Sequence, residues 1–184
     1  MSQSSQDACE LDDFDRIVAS FNQYHVDFMI IGGWAVVYHG HVRMTEDLDI
    51  YIRPTEDNAK RAVAAIEAAG GGCPELKPEV FTRDNGISLG EIPVKVDVIS
   101  KLPGVDFDQA WSRRATGPFG LETVSFISRE DLIRNKRAVA RPKDLLDVNE
   151  LEAGRDKADP RLQAPSRSGH RSLDPGGKGP DKLN

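Results

Sequence analysis

A mixed α/β fold is what the sequence predicts: a short, strongly twisted mixed sheet flanked by helices, with a small helical segment at its C-terminal end. Three observations predict it. Short apolar runs, rich in Ile and Val or alternating with polar residues, recur at residues 28–31, 48–52 and 94–99, as strands do. Between them lie stretches whose apolar or alanine residues return at helical spacing. Beyond residue 127 the strand pattern ceases and two helical patterns follow in succession.

Taken in order, Leu11, Phe14, Ile17, Val18 and Phe21 predict an amphipathic helix over 11–24. A buried strand at 28–31 leads into the glycine turn Gly32-Gly33 and then a helix start. The run Leu48-Asp49-Ile50-Tyr51-Ile52 is the next strand. Pro54-Thr55-Glu56-Asp57 is an N-cap signal for an alanine-rich helix over 59–69, stopped by Gly70-Gly71-Gly72. Asp84-Asn85-Gly86 predicts a hairpin between strands at 80–82 and 87–89, which delivers the strand at 94–99. A short helix over 106–114 and a last strand over 121–127 follow. Ser128 caps a helix reaching about residue 140, and another begins at Pro142.

This divides the chain into a flexible N-terminus at 1–9, a core at 10–127, a C-terminal helical segment of the same domain at 128–152, and a tail at 153–184. The tail has no aromatic residue, four prolines and five glycines. It cannot bury enough surface to offset its ordering entropy, and disorder is expected there. Cys9 and Cys73 read as isolated thiols.

Composition narrows the function. With 39% apolar and 29% charged residues the chain is an ordinary globular protein. No apolar stretch approaches the eighteen or so residues that span a bilayer, and the N-terminus lacks a basic or apolar segment, so the expected location is cytoplasmic. Residues 1–152 hold 17 Lys/Arg against 26 Asp/Glu, and the tail holds 7 against 4, so the body carries −9 and the tail +3. An acidic body argues against broad, sequence-independent DNA binding.

The chemistry concentrates in three carboxylates. Asp47 and Asp49 are two apart on a strand, so they share a face with Cα atoms roughly 6.5 Å apart. Asp97 lies in Val94-Lys95-Val96-Asp97-Val98-Ile99, a candidate neighbouring strand. Carboxylates held side by side repel unless a cation lies between them, and hard oxygen ligands of this kind suit Mg²⁺ shared with substrate phosphates. The glycine turn at Gly32 and Gly33 supplies backbone N–H groups that can approach a phosphate closely. Arg43 and Thr45 lead into the aspartates, and the guanidinium fork of Arg43 matches phosphate oxygens.

These pieces resemble the nucleotidyltransferase superfamily of DNA polymerase beta-like proteins, in particular small bacterial members related to AbiE-type toxins. The resemblance runs through Ile31-Gly32-Gly33, Arg43-Met44-Thr45-Glu46-Asp47-Leu48-Asp49 and Lys95-Val96-Asp97-Val98. It continues in Asp131-Leu132-Ile133-Arg134-Asn135-Lys136 and Arg141-Pro142-Lys143-Asp144-Leu145-Leu146-Asp147. It implies a nucleotidyltransferase fold, with Gly32 and Gly33 holding a nucleoside triphosphate. Asp47, Asp49 and Asp97 would be the Mg²⁺ ligands and catalytic residues, Asp97 also activating the attacking hydroxyl. Arg43, Thr45, Lys136 and Asp144 would serve nucleotide binding. Asp144 and Asp147, three apart on a helix, share a face and resemble the segment that packs the C-terminal helices against the active site.

Gly33 stands where many members carry serine, so Gly33→Ser is expected to be tolerated. The activity implied is Mg²⁺-dependent transfer of a nucleoside monophosphate from an NTP to a hydroxyl acceptor, either a tRNA 3′ end or a side chain of a partner protein, in a toxin–antitoxin setting. An antibiotic hydroxyl is an alternative acceptor, and a catalytically inactive, antitoxin-like binding module is the rival.

Overall fold

The structure, a computed structural model, describes residues 14–83, 85–90 and 94–153. The expectations for residues 1–9 and for the tail past 153 lie outside the described residues.

Apolar spacing sets the first layers. In α1 (Phe14–Gln23), Ile17, Val18 and Phe21 fall on one stripe and are fully buried. Strand β1 (Phe28–Ile30) is buried throughout, and α2 (Gly32–Tyr38) starts directly after it. Strand β2 (Asp47–Ile52) precedes α3 (Glu56–Ala68), whose N-cap Thr55 accepts a hydrogen bond from the Asn58 N–H. Then come α4 (Pro78–Thr82), β3 (Gly86–Leu89) and β4 (Lys95–Ile99). Helix α5 (Phe107–Arg113) is capped by Asp106. The hairpin of β5 (Ala115–Phe119) and β6 (Glu122–Phe126) leads into α6 (Arg129–Val139), capped by Ser128, and α7 (Pro142–Ala153).

The six strands form one mixed sheet in the order β3-β4-β2-β1-β6-β5. β2 pairs antiparallel with β1 and parallel with β4, while β3 runs antiparallel to β4 at the sheet edge. The core joins Ile17, Val18 and Phe21 to Ile30, Leu48, Ile50, Ile52, Val96 and Val98 of the sheet, and Leu132 and Leu151 bring α6 and α7 onto the same core. No helix among the described residues is long and apolar enough to cross a membrane.

Three local expectations are corrected. Residues 80–82 are helical rather than a strand, because Pro78 at the first helical position presets the backbone and Phe81 is drawn wholly into the core. The hairpin partner of 87–89 is therefore β4. Strand β5 was not foreseen: Ala115-Thr116-Gly117-Pro118-Phe119 carries two strand-weakening residues, which its edge position tolerates. Cys73, read as an isolated thiol, is disulfide-bonded; Cys9 lies outside the described residues.

Candidate active site

The two-residue period of β2 builds the site. Leu48, Ile50 and Ile52 face the core with no exposure, which turns Asp47 and Asp49 to the opposite face, half-buried. The parallel register with β4 then sets Asp49 beside Asp97 and Asp47 beside Lys95. One carboxylate oxygen from each of Asp47, Asp49 and Asp97 lies within 4.8 Å of the others. The three predicted ligands are thus brought together.

Burial and the crowding of like charge act together on Asp49. Burial, and after it the charges of Asp47 and Asp97, push the Asp49 carboxyl up from 3.8 to about 6, against the opposing pull of Lys136 and Lys95. Asp97 is held at both oxygens. Ser88 Oγ on β3 donates to its Oδ1 at 2.5 Å, and Lys95 Nζ donates to its Oδ2 at 2.7 Å. The bond to Asp97 raises the Lys95 ammonium above its ordinary value.

The glycine turn meets these carboxylates closely. Gly32 has φ +59°, and a Cβ there would land on the Asp49 carboxylate. Glycine is thus required by the approach of Asp49 as well as by the backbone conformation. A Cβ at Gly33 would overlap Thr45 Oγ1 and reach within 2.8 Å of Thr45 Cβ, with Arg43 Nη2 at 3.5 Å. Gly33, Thr45 and Arg43 therefore share one small space. Thr45 Oγ1 also donates to the Asp47 carbonyl oxygen at 3.2 Å and faces its Oδ1 at 3.4 Å. The N-cap residue of α2, Ile31, makes no side-chain cap bond to the first turn.

Lys136 and Asp144 are placed in a buried cluster between α6 and α7. Lys136 Nζ bonds Asp147 Oδ2 at 2.7 Å and Asp144 Oδ1 at 3.2 Å, and Arg141 Nε bonds Asp144 Oδ2 at 2.6 Å. Arg43 Nη1 reaches the same Asp147 oxygen at 2.7 Å. Lys136, Asp144 and Asp147 are 5%, 2% and 4% exposed, which makes this an internal cluster. Burial alone would raise the Asp144 carboxyl, but hydrogen bonds from Arg141 and Lys136 outweigh it and hold the group below its ordinary value.

Asp147 links the loop carrying Arg43 to the helix carrying Lys136. Sequence reading placed Asp147 on the right face but gave it no site role. It also missed Ser88 and Lys95. Lys95 was findable, since two residues apart on a strand means the same face; Ser88 was not, because its register depends on the true partner of β3.

A cleft of about 260 Å³ opens beside the carboxylates on the β3 side, lined by Asp49, Asp97, Ser88, Ile87, Asn85 and Ile99 among others. The site thus has two flanks. The glycine turn, Thr45 and Arg43 stand on one; the cleft, partly polar and partly apolar, stands on the other.

Comparison with known proteins places this architecture. A solved structure of the lincosamide antibiotic adenylyltransferase LnuA, lincomycin-bound, superposes with TM-score 0.52 at 14% identity, covering 78% of this chain and 99% of that one. A structure of ANT(2″)-Ia in complex with adenylyl-2″-tobramycin superposes with TM-score 0.51 at 17% identity, covering 76% and 87%. No protein-family model matches the chain, and no curated protein sequence matches it. The chain shares the fold of these two proteins.

Proposed function

We propose that the protein is a Mg²⁺-dependent nucleotidyltransferase that moves a nucleoside monophosphate from an NTP to a hydroxyl of a small acceptor molecule. The observation that carries this reading is the convergence of Asp47, Asp49 and Asp97 within 4.8 Å, on the fold shared with two antibiotic nucleotidyltransferases. Three hard carboxylate oxygens gathered in one place are the kind of donor set Mg²⁺ takes, an ion that also binds substrate phosphates. When bound, the ion would neutralise phosphate charge and stabilise the charge that develops on the leaving oxygen.

The residues supply the rest. Gly32, Gly33, Thr45 and Arg43 would bind the triphosphate on one flank. Displacement at the α-phosphorus is in line, so the acceptor would enter from the opposite flank, where the cleft lies. The acceptor oxygen forms its bond to the α-phosphorus as the bond to the β-phosphate bridge breaks and pyrophosphate leaves. Asp97, which lines that cleft and is hydrogen-bonded by Ser88, would take the hydroxyl proton. Lys136 and Asp144 would act on the nucleotide side mainly by fixing Arg43 through Asp147.

A small acceptor is favoured because both structural neighbours act on small antibiotics and because the cleft has small-molecule dimensions. A tRNA 3′ end or a partner protein has the AbiE-type resemblance alone behind it.

The test uses purified protein with Mg²⁺, each α-labelled NTP, and lincomycin, tobramycin and bulk tRNA as separate acceptors. Label should pass to a small hydroxylated compound with release of pyrophosphate, and Asp49→Asn and Asp97→Asn should each reduce it by at least about a hundredfold. Triphosphate binding with neither pyrophosphate release nor labelled product would favour the binding-module reading instead.

A further inference from the structure

Among the described residues, Lys95 is the one strand residue whose charge opposes the acidic face it stands on. It lies on the same face of β4 as Asp97, and the parallel register sets it directly opposite Asp47 on β2. Its ammonium is 2.7 Å from Asp97 Oδ2. The side chains of Lys95 and Asp97 are only 34% and 21% exposed, so water screens the pair incompletely. The second oxygen of Asp97 is taken by Ser88 Oγ. Any cation that binds through Asp97 must therefore displace Lys95, displace Ser88, or share an oxygen with one of them.

Displacing Ser88 costs a neutral hydrogen bond. Sharing Oδ2 with Lys95 would hold a divalent cation close to an ammonium, where the repulsion between them opposes binding. We propose that Lys95 is a tethered counter-cation of the acidic triad: it holds Asp97 before a divalent ion arrives and gives that carboxylate up on loading, so that metal binding is an exchange of one cation for another. The inference rests on the metal-platform reading of Asp47, Asp49 and Asp97. The role has two sides. Lys95 lowers the repulsion among the three carboxylates, and it competes for one of them.

Competition and positioning predict opposite signs, which makes the proposal testable by metal binding alone. Mn²⁺ is the probe, titrated by electron paramagnetic resonance into the full-length protein at pH 8 without nucleotide. Lys95→Met should bind Mn²⁺ about tenfold more tightly than wild type, because a competing positive charge has gone. Lys95→Gln, which keeps a hydrogen-bond donor toward Asp97 without charge, should behave like Lys95→Met, whereas Lys95→Arg should stay at or below the wild-type affinity.

Thermal melting in EDTA gives an independent readout. Both uncharged variants should melt below wild type and gain more from saturating Mn²⁺. Unchanged or weaker Mn²⁺ affinity in both uncharged variants, with wild type binding normally, would overturn the exchange and leave Lys95 a positioning residue. Absence of Mn²⁺ binding in wild type and variants alike would overturn the metal platform itself.

Discussion

At the scale of single residues, the space around Gly33 decides what the glycine turn can accept. The resemblance implies that serine fits there, but Thr45 already fills the position a side chain would take, with both its Oγ1 and its Cβ in the way. Rotating the threonine does not clear the Cβ. Gly33→Ser is therefore expected to destabilise the fold by about 1–3 kcal/mol, as overpacking does. Thr45→Gly in the same chain, which removes both Oγ1 and Cβ, should recover most of that loss, and urea unfolding of the two single variants and the double variant measures the coupling. Additive effects would mean that residue 33 and Thr45 do not compete for space.

The same scale shows what sequence could disclose. Asp47, Asp49 and Asp97 were legible because strand alternation alone fixes which way they point. The Arg43–Asp147 bond joins residues 104 positions apart, and no local pattern says which of several arginines meets which of several aspartates.

At the scale of elements, α6 and α7 form a pair whose interface is ionic as well as apolar. Lys136 was read as a phosphate contact, yet its ammonium is spent on Asp144 and Asp147 inside the protein. Removing the cation would leave Asp144 with Arg141 and Asp147 with Arg43, two buried carboxylates each short of one partner. Lys136→Met is thus expected to cost about 3–5 kcal/mol, a large fall in melting temperature, together with loosened triphosphate binding as Asp147, which anchors Arg43, loses its second cation. Wild-type melting combined with lost triphosphate affinity would instead identify Lys136 as a direct ligand contact.

The helices themselves were well indicated, because caps such as Thr55, Asp106 and Ser128 are local chemistry. Strand β5 and helix α4 were not. In both, tertiary placement at a sheet edge or against the core outweighed the preferences of a few residues.

At the scale of the whole molecule, the acidic triad loads the fold with a cost that depends on pH. Asp49 titrates near 3.8 when unfolded and near about 6 in the native protein. Between those values the native state binds more protons, so in EDTA stability should fall as pH rises from about 4 to 6, and the cost is fully present above that. Asp49→Asn removes it. The variant should match wild type near pH 4 and be more stable by on the order of 1–2 kcal/mol at pH 8, as read from thermal melts across that range. A difference that does not change with pH would show that Asp49 carries no such strain.

The sheet order has one more consequence. β2, with Asp47 and Asp49, is enclosed by β1 and β4, whereas β3, with Ser88, has a neighbour on one side only. Changes in β2 disturb three strands at once, and changes around Asn85 and Ile87 disturb little beyond the cleft wall they form. Selection acting on such a chain meets a conservative centre beside a permissive margin.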